Sequence, residues 1–184
     1  MLSYDLLLNG GTKSTADTIA ITDPATGDLV GRVARGDSSD AAAAVAAASD
    51  ATDGWERTPP SDRERALRAV ADRIEADADA IAELLSQETG KCLETAAGEV
   101  AETAAQFRFY AGAADKVRGD TIPTRETRLN YTRRTPYGVT AHVIPWNYPL
   151  LLGTRGIPAA LPTVNTAVPT PPGTAPPPTT LPGS

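Results

Sequence analysis

The sequence predicts an α/β fold: a β-hairpin, long helices and, after them, an apolar strand that runs into a turn. Three observations predict it. Two short β-rich runs flank the turn Asp23-Pro24-Ala25-Thr26-Gly27. Apolar residues then recur at three- and four-residue steps from about residue 37 to 118. Finally, the apolar run Tyr137 to Ile144 enters the turn Pro145-Trp146-Asn147-Tyr148-Pro149, and residues 156–184 that follow are 29 positions without a charge, nine of them proline. That tail does not have the composition of a domain.

Tyr4 to Leu8 reads as a strand, and Thr18 to Thr22 with Leu29 to Val33 reads as a hairpin across the Asp23–Gly27 turn. Asp37 or Ser38 caps an alanine-rich helix that ends near Gly54. Pro59-Pro60 and a capping box from Ser61 to Glu64 start a second helix, with Leu67, Val70, Ile74, Ile81, Leu84 and Leu85 on one face and Gly90 at its end. A third, from about Glu94 to Arg118, carries Val100, Ala104, Phe107, Ala111, Ala114 and Val117, and Gly119 ends it. Arg128 to Thr135 alternates polar and apolar residues as an edge strand does. The apolar helix faces read as packing surfaces that need something to pack against.

Composition narrows the function classes. Net charge is −6, so the clustered cations that phosphate contacts require are lacking and nucleic acid is not an expected partner. No run of 18 apolar residues and no arginine-led apolar leader occurs, which predicts a cytoplasmic protein without a membrane partner. One cysteine and one histidine leave neither a disulfide framework nor a His/Cys cluster for a metal. Lysine is scarce beside arginine and aspartate; a halophile's acidic surface and a GC-rich genome both produce that bias.

The turn at 145–149 is the candidate site. Asn147 is its polar side chain, and an amide NH2 is a neutral donor at any pH. A donor fixed on a rigid turn at the carboxyl end of a strand suits an oxyanion developing on a carbonyl, at about 3 kcal/mol of barrier. The same residues also make an ordinary turn, since asparagine favours turns and Pro149 forces Tyr148 out of the helical region.

Val143-Ile144-Pro145-Trp146-Asn147-Tyr148-Pro149-Leu150, preceded by Pro136-Tyr137-Gly138-Val139, resembles the strand and turn that open the nucleotide-binding fold of NAD(P)-dependent aldehyde dehydrogenases. The likeness extends back through Tyr110-Ala111-Gly112, Gly119, Glu99, Glu88-Thr89-Gly90-Lys91, the Trp55 to Arg65 segment and Asp23 to Gly27, and covers about residues 4 to 157. The resemblance implies an aldehyde dehydrogenase-like fold whose Rossmann-like sheet has only begun. It implies Asn147 as the catalytic oxyanion donor, Ile144, Pro145 and Trp146 as cofactor-binding residues, NAD or NADP as cofactor, a small aldehyde as substrate, and a homo- or hetero-oligomer. No metal is implied. It divides the chain into an N-terminal hairpin, helices and oligomerisation-arm strand over 1–136, the start of the nucleotide-binding fold over 137–168, and a Pro-rich, disordered tail over 169–184.

The resemblance weakens after residue 157. Pro162 falls within the expected helix, where proline costs about 3 kcal/mol. Val164 stands where the family has glycine, Thr170 stands at the position of a cofactor-binding lysine, and Pro169 threatens a ladder hydrogen bond of a central strand. The family's pyrophosphate turn, general-base Glu and nucleophilic Cys are absent, so the chain reads as a truncated N-terminal fragment, inactive alone. The alternatives are an interaction module that pairs with an intact relative, or a helical protein whose Pro-rich tail is a ligand. Cys92 and His142 receive no catalytic role. Gly11-Thr12-Lys13-Ser14-Thr15 and Gly90-Lys91-Cys92 lack the spacing of a phosphate loop.

Overall fold

A computed structural model describes residues 2–172. The hairpin forms between β4 (Thr18–Thr22) and β5 (Leu29–Ala34), with a register irregularity between Ile21 and Thr22. The turn closes through Gly27 N–H to Asp23 C=O at 2.7 Å, with Gly27 at φ +79°. The predicted strand from Tyr4 to Leu8 is two strands, because its halves serve different sheets. β1 (Leu2–Tyr4) adds parallel to β5, and β2 (Leu6–Leu8) pairs antiparallel with β3 (Gly11–Lys13).

α1 (Ser38–Arg57) starts at a complete capping box in which Asp37 accepts from Ser39 and Asp40 N–H and Asp40 accepts from Asp37 N–H. It passes through Gly54 instead of ending there. Pro59 is what stops it, by holding Thr58 extended. α2 (Pro60–Ala76) begins at Pro60, a residue preset for the first helical turn, so Ser61 lies inside the helix and the predicted Ser61–Glu64 box does not cap it. Asp77 interrupts the expected continuous helix, and α3 (Ala78–Thr89) follows, ending at Gly90 in the left-handed conformation. A side chain at Gly90 would put its Cβ 2.6 Å from Pro24 Cγ, so the hairpin turn rests against the end of this helix.

α4 (Leu93–Ala111) stops at Gly112, seven residues before the predicted end at Gly119. Val117 therefore lies beyond the helix and is exposed, and Val70, placed on the apolar face of α2 by its spacing, is exposed as well. The buried face of α2 is Leu67 and Ala71, with Ile74 partly buried beside them. These meet Ala104, Phe107 and Ala111 of α4, while Ile81, Ala82 and Leu85 of α3 meet Ala96 and Val100. Of Arg128 to Thr135, only Asn130–Tyr131 is a strand, β7, and it pairs with β6 (Thr121–Ile122).

The second sheet is β8 (Val139–Val143) and β9 (Thr166–Thr170), parallel and in register from Val139↔Thr166 to Val143↔Thr170. α5 (Pro149–Arg155) and α6 (Ile157–Ala160) connect them. Leu150 and Leu161 carry this unit into the helical core, and α1 lies against β9.

Two expectations about prolines are corrected here. Pro162 is not inside a helix: α6 ends at Ala160, and Pro162 is fully buried in the turn that follows. Pro169 is part of β9, as is Thr170, so the tail expected over 169–184 does not begin at residue 169. Thr166 N–H donates to Gly138 and Thr170 C=O accepts from Ile144, so even-numbered residues of β9 face β8. Pro169 points the other way, and its missing N–H costs nothing in this ladder. Residues 173–184 lie outside the described residues, and with them the rest of that expectation.

Candidate functional site

β8 delivers the chain to the turn. Ile144 is buried and donates its N–H to Thr170 C=O at 3.1 Å, extending the ladder one step past the strand. Pro145, Trp146 and Asn147 then stand exposed at the carboxyl ends of both strands, Trp146 at 66%. Pro149 opens α5 from a buried position, its ring preset for a first helical turn and its absent N–H not needed there.

Asn147 is held by its backbone. Its carbonyl accepts from Lys91 Nζ at 3.2 Å, and among the described residues its side-chain amide has no partner. The donor is thus free to meet a ligand. Lys91 follows Gly90 in the α3–α4 connection and sits 4.3 Å from the centre of the Tyr148 ring. Its ammonium also pairs with Glu99, whose side chain is completely buried. The other Glu99 oxygen accepts from the N–H groups of Leu150 and Leu151, each at 3.0 Å, and so caps α5. One residue pair from the α3–α4 connection and α4 therefore grips the turn at Asn147 and just after it.

Sequence reasoning quoted Lys91 and Glu99 for their likeness to the family but gave neither a role. A signal was present. Glu99 lies three residues from Ala96 and one from Val100, on the apolar face of α4, and a carboxylate there must find a partner across the interface.

Ile144, Pro145 and Trp146, expected from the resemblance to face a cofactor, lie together at the strand ends, in the place where open α/β sheets receive ligands. Thr170 is beside them in register with Val143, exposed, and offers a hydroxyl with no charge. His142 is half-buried, its ring against Gly156, where a Cβ would approach Nδ1 to 2.3 Å; burial lowers its pKa. Its Nε2 lies 3.0 Å from Thr140 Oγ1. Cys92 is exposed at the start of α4, its Sγ 3.0 Å from Thr95 Oγ1, a contact that lowers the pKa of the thiol. Among the described residues no group of three or more His, Cys, Asp or Glu could hold a metal, and no helix is long and apolar enough to cross a membrane.

After Ala160 the chain turns sharply into β9. Asn165 organises the turn: its Oδ1 accepts from Gly138 N–H at 3.0 Å, and its Nδ2 donates to Thr163 Oγ1 at 2.8 Å. Val164 is forced to φ +71°, a conformation that suits glycine.

Comparison with known proteins places this geometry. A sequence model of the aldehyde dehydrogenase family matches residues 12–181, running past residue 157 where the motifs thin. A hydroxyisobutyraldehyde dehydrogenase of Mycolicibacterium austroafricanum is 41% identical over 151 residues, covering 82% of this chain and 30% of that protein. Among solved structures, an aldehyde dehydrogenase from Brucella melitensis biovar abortus 2308 is similar at a TM-score of 0.91 and 35% identity, over 94% of this chain and 36% of that one. An NAD-dependent aldehyde dehydrogenase from Sinorhizobium meliloti is similar at 0.87 and 31% identity, over 90% and 34%. The chain thus spans about a third of the length of the proteins it matches, and corresponds to an amino-terminal portion of them.

Proposed function

The chain belongs to the aldehyde dehydrogenase family, and from that premise we propose that it supplies the oxyanion donor, Asn147, and the first two strands of the dinucleotide site of an NAD(P)-dependent, aldehyde-oxidising enzyme of the cytoplasm. One observation carries this reading: an amide with no partner among the described residues, on a turn held at its own carbonyl and at the helix start after it, at the carboxyl end of a parallel strand.

In aldehyde oxidation of this kind a thiolate adds to the carbonyl, whose oxygen takes the developing charge. The Asn147 amide donates to that oxygen. Such a donor contributes more as the charge grows than it does to the neutral carbonyl, by about 3 kcal/mol. A nicotinamide dinucleotide supplies the hydride acceptor when bound. The residues here fit it only in part: Ile144, Pro145 and Trp146 offer a contact surface at the strand ends, whereas Thr170 offers no cation for a phosphate or ribose. No catalytic step of this chain is assigned through it.

The 184-residue chain by itself then holds an oxyanion donor without a general base or an assigned nucleophile, since the resemblance places the family's catalytic cysteine later in the chain than Cys92, which inherits no role. It does not oxidise aldehydes alone. The test is spectrophotometric: the purified chain, given a small aldehyde with NAD+ or NADP+, forms no NAD(P)H. Steady NAD(P)H formation that requires the aldehyde sinks the reading of inactivity, and its loss in Asn147→Ala would then assign the donor.

A second reading is favoured by the β6–β7 arm, where Leu129 and Tyr131 are both exposed, at 79% and 63%. Two short strands with bare apolar side chains suit pairing with another family subunit.

A further inference from the structure

We infer that Lys91 and Glu99 are positioning residues for the Asn147 amide, acting as one buried ion pair that fixes the turn on which the donor stands. The inference rests on the reading of Asn147 as an oxyanion donor, and extends it to two side chains that do not touch the substrate.

The Glu99 side chain is completely buried and that of Lys91 is 12% exposed. A pair taken that far out of water is poor at stabilising a fold, because the desolvation of both charges offsets most of their attraction. What this pair does instead is make directional contacts. Glu99 accepts two N–H groups, of Leu150 and Leu151, which sets where α5 begins. Lys91 donates one N–H to Glu99 and another to the Asn147 carbonyl, while its charge lies over the Tyr148 ring. Asn147 is therefore held by its own carbonyl, by the ring one residue after it and by the helix start three residues after it. The pair touches no atom of the Asn147 amide, which stays free to donate. A displacement of about 1 Å in such a donor can cost about 10²-fold in rate, so a rigid turn has functional weight.

The experiment uses the full 184-residue chain and reads order at the turn by nuclear magnetic resonance, not activity. In the native chain the Asn147 and Tyr148 backbone amides are rigid, with order parameters of about 0.85. In Lys91→Met, which keeps the aliphatic stem, they fall below about 0.6 while the amides of Leu85 and Leu67 in the helical core do not change. Lys91→Arg restores them. Glu99→Gln keeps an acceptor for Leu150 and Leu151 but loosens Asn147 and Tyr148. Unchanged order at Asn147 in Lys91→Met, or failure of Lys91→Arg to restore it, overturns the inference.

Should Lys91→Met not fold, the native chain decides. The Lys91 Hε protons are shifted upfield by the Tyr148 ring, and Tyr148→Leu removes the shift; its absence in the native chain overturns the inference. A rigid turn that gives no catalytic contribution in an assembled enzyme would count against the role of Asn147 alone, so the two failures are distinguishable.

Discussion

Val164 shows how much a single position can conflict with its backbone. A β-branched side chain at φ +71° carries strain on the order of 1–3 kcal/mol, because Cβ crowds the following carbonyl. The turn keeps it there because Asn165, next in the chain, is anchored to Gly138 and Thr163. At most positions alanine is more stable than glycine, since glycine loses more backbone freedom on folding. Here the order reverses. Val164→Gly should exceed Val164→Ala in unfolding free energy by about 1 kcal/mol in a denaturant titration. Equal stabilities, or alanine ahead, would mean that the turn is not strained at this residue.

Among the elements, the hairpin and α3 meet at two points. At the first, Gly90 ends α3 with Pro24 pressed against it, and φ +73° makes any side chain strained there. Gly27 has a similar φ of +79° but open space around it. Gly27→Ala should therefore cost about 1 kcal/mol, from backbone conformation alone, and Gly90→Ala at least twice as much, measured by thermal unfolding.

At the second point, Glu88 of α3 lies beside Leu2, Tyr4, Ile21 and Val33 of the three-stranded sheet, and its Oε2 is buried with no partner among the described residues. Burial pushes this carboxyl up to about 8 from an ordinary 4.5, and the nearby Tyr4 hydroxyl is raised as well, first by burial and then by Glu88. Below pH 4.5 both folded and unfolded chains hold the proton, and the group has no effect. Between 4.5 and about 8 only the folded chain holds it, so stability falls as pH rises, by up to about 1.4 kcal/mol per pH unit. Above that the loss is complete. Urea titrations across this range should show the decline in the native chain and a flatter profile in Glu88→Gln.

On the scale of the whole molecule, the helices close a core that reaches into the second sheet through Leu150, Leu161 and Trp55, whose Nε1 donates to Leu161 C=O at 2.8 Å. The β6–β7 arm stays outside that core. If the arm pairs with another subunit, the native chain should co-elute with an intact aldehyde dehydrogenase in gel filtration, and Leu129→Asp with Tyr131→Asp should release it. Separate elution of the native chain would count against the pairing.

How much of this was legible in the sequence varies with the range of the interaction responsible. Hairpin, turn and some helix starts depend on neighbours in the chain: Asp23 to Gly27, the Asp37 cap and the Pro59-Pro60 start of α2 were readable, whereas the new start after Asp77 was not. Gly90 at the end of α3 was readable too, but the ends of α1 and α4 were not. Gly54 does not stop α1 because backbone entropy of one glycine is small beside the packing of a long helix, whereas Pro59 removes the choice. Glu99 could be singled out as a charge on an apolar face, but its partner lay eight residues back and its capped helix 51 residues on.

By itself, then, the sequence determined the family, the α/β class, the hairpin followed by helices and Asn147 as the side chain to watch, because each is written in local composition and motif. Only the tertiary structure decided that Lys91 and Glu99 hold the Asn147 turn, that Pro169 turns its missing donor away from β8, and that Val164 is strained. Each of those depends on which atoms the folded chain brings within a few ångströms of one another; a charge on an apolar face or a valine at a glycine position can mark such a residue, but not the partner it meets.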